Sequence, residues 1–155
     1  MNNSETEINK VEAEFKRERE RERERVKTQQ TRLIPVVLKL KDTYNIWQAY
    51  LSSFPKTNRY TIGSKIDILF LEAIEYAFLA SYTHTEEKRL FLNKSISKID
   101  LVKLLLQLSW EIKALDNKKY AHLAERFAEI GKMLGGWKRQ LLNKTPEAMP
   151  QEKRT

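Results

Sequence analysis

Residues 120–141 read YAHLAERFAEIGKMLGGWKRQL, and this stretch decides the fold class. Its large apolar residues recur at alternating steps of three and four, which is the spacing of one face of an α-helix. They are Tyr120, Leu123, Phe127, Ile130, Leu134, Trp137 and Leu141. The stretch therefore predicts an amphipathic helix that buries one side.

A second stripe of the same helix contains only small residues. They are Ala121, Ala124, Ala128, Gly131 and Gly135. Each glycine in a helix interior costs about 1 kcal/mol relative to alanine. A face without bulk lets another helix approach closely. The sequence leaves open whether that neighbour belongs to the same chain or to a second copy, and whether Gly136 merely lies near a helix end.

Three further apolar stripes with the same spacing precede this helix. The first contains Val37, Leu40, Tyr44, Trp47, Leu51 and Phe54. The second contains Ile62, Ile66, Leu69, Ala73, Tyr76 and Ala80. The third contains Leu101, Leu105, Leu108, Ile112 and Leu115. Four helices with short connections predict an all-α fold, an up-down-up-down four-helix bundle over residues 32–142.

Turn and cap signals separate these stripes. Pro35 predicts the start of the first helix, because its missing N–H is harmless in a first turn. Pro55 ends that helix, and Thr61 is the predicted cap of the second. Thr83 lies three residues before Glu86, which is the spacing of a capping box. Thr83, Thr85 or Ser97 can each start the third helix, and Asp116 or Asn117 can cap the fourth.

Two polar segments flank the predicted bundle. Residues 1–31 contain eight Lys+Arg and eight Glu, so this segment has no net charge. It lacks a continuous apolar stripe, which predicts a solvated, transiently helical extension. A minority interpretation makes its arginines a nucleic-acid-binding tail. Residues 143–155 contain two prolines and few apolar residues, and we predict a disordered tail.

The overall charge of +8 lies entirely outside the first 31 residues, and the pI is about 9.6. A strongly basic domain favours an anionic partner such as RNA or DNA. The chain contains no cysteine, which excludes disulfides and thiolate metal sites. It shows neither a signal peptide nor an apolar run of membrane-spanning length, so we expect a soluble cytoplasmic protein with no membrane partner.

The sequence offers little for catalysis. Its two histidines, His84 and His122, are far apart and belong to no metal-binding motif. Glu72 and Glu75 are one turn apart, but the position three residues later is Phe78, so the pattern of di-iron bundles is absent. We expect a protein without enzymatic activity, bound metal or cofactor.

Cations and aromatic residues concentrate in the first and third connections, which an up-down topology places at the same end. Cations beside aromatic rings suit phosphate contact and stacking on unpaired bases. The predicted nucleic-acid-binding residues are Lys56, Arg59, Tyr60, Lys113, Lys118 and Lys119, with Tyr120 close by. The opposite end contains Arg32, Lys88, Arg89, Lys138 and Arg139, but Glu86 and Glu87 dilute its charge.

Two helices have more apolar surface than a small monomeric bundle requires. The second helix has an additional stripe at Leu71, Ile74 and Phe78. Large exposed apolar surfaces are typical of interfaces, so we predict a homo-oligomer. The predicted interface consists of Ile99, Val102, Leu106 and Trp110 on the third helix and Gly131 and Gly135 on the fourth.

Two separated motifs carry a family resemblance that covers roughly residues 35–140. WQAYLSSFPKTNRYTIG at 47–63 and EIGKMLGGWKRQ at 129–140 resemble the accessory variability determinant proteins of diversity-generating retroelements. The wider family includes four-helix bundle proteins encoded in intervening sequences of ribosomal RNA genes. The Arg-Glu segment at the N-terminus departs from the family pattern.

The resemblance implies a basic, barrel-like homopentamer that binds nucleic acid and associates with a reverse transcriptase. Such a protein supports the mutagenic copying of a template repeat into a variable gene. The alternative is an oligomeric scaffold, or a bundle protein associated with ribosomal RNA, that has no role in a retroelement.

Overall fold

The computed structural model describes residues 3–32 and 34–144. These residues form helices and short connections, and no β-strand occurs among them, so the all-α prediction is confirmed. The elements are α1 (Asn3–Arg32), α2 (Pro35–Leu51), the single turn α3 (Lys56–Asn58), a π-helical turn (Arg59–Gly63), α4 (Ser64–Tyr82), α5 (Thr85–Glu111) and α6 (Asn117–Lys144). The predicted disordered tail lies outside the described residues from position 145 onward.

Helix α1 belongs to a separate compact unit that ends at Ile34. Side chains 4–25 are exposed, including the apolar Ile8, Val11 and Phe15. The segment predicted to be transiently helical is one continuous helix over Asn3–Arg32 in the structure. Charge alternation along the helix brings opposite charges to i, i+3 spacing.

The second unit begins at Pro35 and contains the apolar core. Helix α2 contacts α4 and α6, and α5 contacts the same two helices. Edge-to-face ring contacts cross the core, with 5.3 Å between the centroids of Tyr44 and Phe70 and 5.2 Å between those of Phe70 and Phe127. Such pairs stabilise a core beyond the area that they bury.

Neighbouring helices of this unit run antiparallel. Between α2 and α6, Lys39 pairs with Glu129, and Tyr50 contacts His122. Between α4 and α5, the hydroxyl of Ser95 donates to the Ala73 carbonyl at 2.8 Å, and the Phe91 ring stacks on the Tyr76 ring with 6.2 Å between centroids. In each pair the residue number rises on one helix as it falls on the other.

A polar network joins α2 to the start of α4. The buried indole of Trp47 donates from Nε1 to Asp67 Oδ1 at 3.1 Å, and the Gln48 amide donates to the same oxygen at 2.6 Å. Gln48 also donates to the Tyr44 hydroxyl at 2.8 Å. Burial, followed by hydrogen bonding and charge from Asp67, raises the pKa of Tyr44.

The predicted stripes of α2, α4 and α6 face the core. Of the third predicted stripe, Leu115 is buried, but the members on α5 were assigned to the wrong face. Ile99, Val102 and Leu106, predicted as an oligomer interface, are at most 1% exposed. Leu101 and Leu108, predicted as core, are 38% and 41% exposed. The buried face is the one that continues along the whole helix, as Leu92, Ser95, Ile99, Val102, Leu106 and Ser109.

The outer stripe of α5 begins only halfway along the helix, and it has polar residues before it. The small hydroxyls on the buried stripe are compatible with burial because each donates to a backbone carbonyl, Ser95 to Ala73 and Ser109 to Leu105. A serine can therefore occupy a position in an apolar stripe, and the stripe can still be buried, when its hydroxyl donates to a backbone carbonyl.

Two predicted caps also differ in the structure. Thr61 lies inside the π-helical turn, where its hydroxyl donates to the Thr57 carbonyl at 3.2 Å, so it is not a cap. The residue before α5 is His84, without a side-chain cap bond, so the capping box at Thr83 is absent. Asp116 accepts from the Lys119 amide at 2.8 Å, which confirms one of the two predicted caps of α6.

No helix among residues 3–32 and 34–144 has both the length and the apolar character needed to cross a membrane.

Candidate nucleic-acid interface

The first and third connections of the core unit meet at one end of the helices. The Lys119 ammonium donates to the Ser53 hydroxyl at 2.8 Å, and the Tyr50 hydroxyl lies 2.6 Å from His122 Nδ1. We call the surface formed by residues 50–60 and 110–122 the connection end. It contains five Lys+Arg and two carboxylates, a net charge of +3.

Lys119 is the cation that ties the two connections together. Its ammonium lies over the Tyr50 ring, 5.6 Å from the centroid, and 3.8 Å from Asp116 Oδ2. The Tyr50 and His122 rings meet edge to face beside it. Because Lys119 already has a hydroxyl, an aromatic ring and a carboxylate around it, its charge is less available to a ligand than that of its neighbours.

Arg59 has a structural role at this end. Its guanidinium donates from Nη2 to the carbonyl of Ser52 at 2.8 Å and to that of Phe54 at 3.2 Å. Both carbonyls lie in the turn that follows α2, and a hydrogen bond from a charged guanidinium is stronger than one from a neutral donor. Arg59, predicted to bind nucleic acid, therefore closes the turn after α2.

Four of the predicted binding residues are exposed at the connection end. Lys56, Lys113 and Lys118 are exposed, and the Tyr60 ring is 71% accessible. They lie around the connections that Lys119 and Ser53 join. The structure thus brings together most of the predicted set and leaves these three lysines as its freest cations.

Lys113 sits in a left-handed turn that ends α5, with φ of 62°. Its amide donates to the Trp110 carbonyl at 3.0 Å, and the Ala114 amide donates to the Ser109 carbonyl at 2.9 Å. These two bonds define a Schellman motif, in which glycine is the usual residue at the left-handed position. The motif directs the chain sharply from α5 into α6.

A stacked aromatic pair adjoins this turn. The Trp110 and Tyr120 rings are 5.1 Å apart at an interplanar angle of 14°, and the Trp110 indole donates to Asn117 Oδ1 at 2.6 Å. Trp110 is 39% exposed. It was predicted for the oligomer interface, but the structure places it at the connection end, beside the cations. Tyr50 and Ser53, which contact Lys119, lie within the 47–63 motif but were not among the predicted binding residues, because neither carries a charge.

The two glycines of the predicted interface line a shallow groove between α5 and α6. The groove measures about 420 Å³, and Lys103, Lys132 and Arg139 contribute cations to its lining. A methyl group at Gly135 would meet no atom within 4 Å. The glycine therefore provides no clearance for packing within this chain.

The described residues contain no group of three or more histidine, aspartate or glutamate side chains placed to hold a metal ion. The chemistry of the connection end consists of ammonium groups, hydroxyls and aromatic faces.

Comparison with known proteins assigns the chain to a family. The family model described as bAvd-like matches residues 33–141, which is most of the chain and spans α2 to nearly the end of α6. No curated protein matches the sequence. The match confirms the resemblance to accessory variability determinant proteins and leaves α1 outside the matched region. The chain belongs to the bAvd-like family.

Proposed function

We propose that this chain is a non-enzymatic accessory protein of a diversity-generating retroelement. It binds RNA or DNA through the connection end and associates with the reverse transcriptase of the element, in support of mutagenic retrohoming. The family match over residues 33–141 is the observation that carries the proposal.

The distribution of charge supports the nucleic-acid part of the proposal. Residues 32–155 contain 21 Lys+Arg and 13 Asp+Glu, obtained by subtracting the eight of each in residues 1–31 from the totals of 29 and 21. Excess positive charge raises affinity for polyanions without requiring a sequence-specific contact. The exposed lysines at the connection end concentrate part of this excess.

We propose an up-down-up-down four-helix bundle of α2, α4, α5 and α6 that assembles into a homopentamer. The antiparallel contacts between neighbouring helices support the topology. An apolar ridge on α5, formed by Leu101, Leu104, Leu108 and Ile112, supports the assembly. Each of these side chains is between 38% and 59% exposed, and burial of this area in an interface is favourable.

A salt-dependent binding titration tests the nucleic-acid proposal. The triple variant Lys56→Gln, Lys113→Gln, Lys118→Gln removes three exposed cations from the connection end. We expect weaker binding to a DNA duplex and a smaller slope of log affinity against log salt, by about 0.9 for each lost phosphate contact. The readout is fluorescence anisotropy of a labelled duplex at several salt concentrations.

A matched triple variant, Lys41→Gln, Lys94→Gln, Lys132→Gln, controls for net charge, because these exposed lysines lie away from the connection end. It should keep the parent slope. Equal slopes for both triple variants would assign binding to the general charge of the protein and remove the connection end as the site.

Association with the polymerase is tested separately by co-purification with the reverse transcriptase of the same element. We expect the pair to persist after nuclease treatment. Loss of the pair on treatment would show that nucleic acid bridges the two proteins, and no recovery before treatment would contradict the partnership.

A further inference from the structure

The aromatic pair at the connection end has a geometry suited to a ligand with flat, unpaired rings. The Trp110 and Tyr120 rings are nearly parallel, at 14°, and their centroids are 5.1 Å apart. Asn117 fixes the indole through a 2.6 Å hydrogen bond, so the ring orientation is set before any ligand binds. A fixed ring loses little conformational entropy on binding.

Trp110 is unusual among the tryptophans of the described residues. Trp47 is completely buried and Trp137 is half-buried, whereas Trp110 is 39% exposed although it ends a buried stretch of α5. An exposed indole face is available to pack against a flat ligand. Trp110 lies three residues before Lys113, and its indole is hydrogen-bonded to Asn117, the residue that precedes Lys118. The nearby cations favour an anionic partner.

A cavity lies beside the pair, between α5 and α6. It measures about 330 Å³ and is lined by Tyr120, Gln107, Lys103 and apolar side chains. This volume falls within the range of small-ligand sites. The Lys103 ammonium offers a hydrogen-bond donor at the edge of this space, whereas the Gln107 amide already donates to the Glu111 carboxylate at 3.2 Å.

The geometry points to Trp110, supported by Tyr120, as a stacking platform for an unpaired base of single-stranded nucleic acid. This inference rests on the proposed function and names its ligand class. In a duplex the base faces are already stacked, so an indole on the protein surface has no face to cover. In a single strand every base presents a face, and the adjacent lysines contact the phosphates.

Binding of a single-stranded oligonucleotide and of its duplex by Trp110→Leu tests the inference. We use a 12-nucleotide RNA, the DNA strand of the same sequence, and the DNA duplex. We expect affinity for both single strands to fall about 5- to 100-fold, the range typical for the loss of one base stack. Affinity for the duplex should change less than twofold, and the salt slope should stay at the parent value.

Three control variants localise the effect. Trp110→Tyr keeps an aromatic face and should recover most of the single-strand affinity. Tyr82→Leu removes a 66% exposed ring that ends α4, far from the connection end, and should bind as the parent does. Tyr60→Leu removes the most exposed aromatic ring of the connection end. If Tyr60→Leu lowered single-strand affinity and Trp110→Leu did not, the stacking ring would be Tyr60 and the inference for Trp110 would be overturned.

A fluorescence measurement covers the possibility that Trp110→Leu perturbs the end of α5. In Trp137→Phe the emission comes from the buried Trp47 and the exposed Trp110. A single-stranded oligonucleotide should quench the exposed part and protect it from acrylamide, whereas the duplex should do neither.

The outcomes separate this inference from the proposed function. Equal losses for single strand and duplex, or parent-like single-strand binding by Trp110→Leu, would overturn the platform and leave nucleic-acid binding standing. Absence of binding to all three probes would overturn both. A loss of self-association in Trp110→Leu without a change in single-strand affinity would make this ring part of a protein interface.

Discussion

At the residue scale, the glycines of this chain have opposite surroundings. A methyl group at Gly63 would lie 2.7 Å from Leu51 Cδ1 and 3.2 Å from the Asn58 carbonyl oxygen, inside the π-helical turn. A methyl group at Gly135 would meet nothing within 4 Å. The first glycine is closely packed, and the second is not.

We expect Gly63→Ala to lower the free energy of unfolding by about 1 to 3 kcal/mol, because the close approach forces a shift of backbone or side chain. Gly135→Ala should raise it by about 1 kcal/mol through helix propensity. Urea denaturation followed by circular dichroism checks both. Parent-like stability of Gly63→Ala would show that Leu51 relaxes freely.

At the same scale, the structure assigns Arg59 a role that the sequence did not predict. A basic residue in a loop predicts surface charge, but its hydrogen bonds to the Ser52 and Phe54 carbonyls depend on the path of the turn. That path follows from tertiary packing of α2 against α4. Lys56, Tyr60, Lys113 and Lys118 were predicted to be accessible, and they are exposed.

At the element scale, the buried faces of α2, α4 and α6 were predictable from the sequence, and the buried face of α5 was not. Helix α6 has one large apolar stripe and one small stripe, so its buried face is unambiguous. Helix α5 has two apolar stripes with equal spacing, and the buried one contains Ser95 and Ser109. The buried stripe is the one that continues along the whole helix, and it is recognised only when Ser95 and Ser109 are counted with its apolar members.

The contact between α2 and α6 makes a prediction about pH. Hydrogen bonding and charge from Lys39 lower the pKa of Glu129 from its ordinary value of 4.5. A lowered carboxyl pKa stabilises the folded state above the ordinary value, and this contribution is lost as pH falls through the folded-state value. We expect Glu129→Gln to lose less stability than the parent between about pH 5 and pH 3.

Thermal unfolding across that pH range provides the measurement. Glu125→Gln, an exposed carboxylate on the same helix, is the matched control and should follow the parent curve. Parallel curves for the parent and Glu129→Gln would mean that the pair with Lys39 contributes nothing to folding in solution.

At the scale of the whole molecule, the apolar ridge on α5 predicts self-association. Leu104 is the most exposed member at 59%, followed by Ile112 at 47%. We expect Leu104→Glu combined with Leu108→Glu to convert the proposed oligomer into monomers, because burying two unpaired carboxylates in an interface is unfavourable. Sedimentation velocity at micromolar concentration measures the change.

Gln107→Glu places one new carboxylate on the same helix beside the ridge, and it should leave the oligomer intact. A parent protein that sediments as a monomer would contradict the assembly itself. A double variant that stays oligomeric would move the interface to another face, such as the α5–α6 groove.

The left-handed backbone of Lys113 sets stability against positive charge at one position. Glycine or asparagine fits that backbone better, so a randomised library selected for heat resistance should enrich them there. The same library selected for retention on a polyanion should keep the cation. If the two selections enrich different residues at position 113, the lysine lowers thermal stability in exchange for attraction to a polyanion. If both enrich glycine or asparagine, the ammonium group of Lys113 does not contribute to polyanion binding.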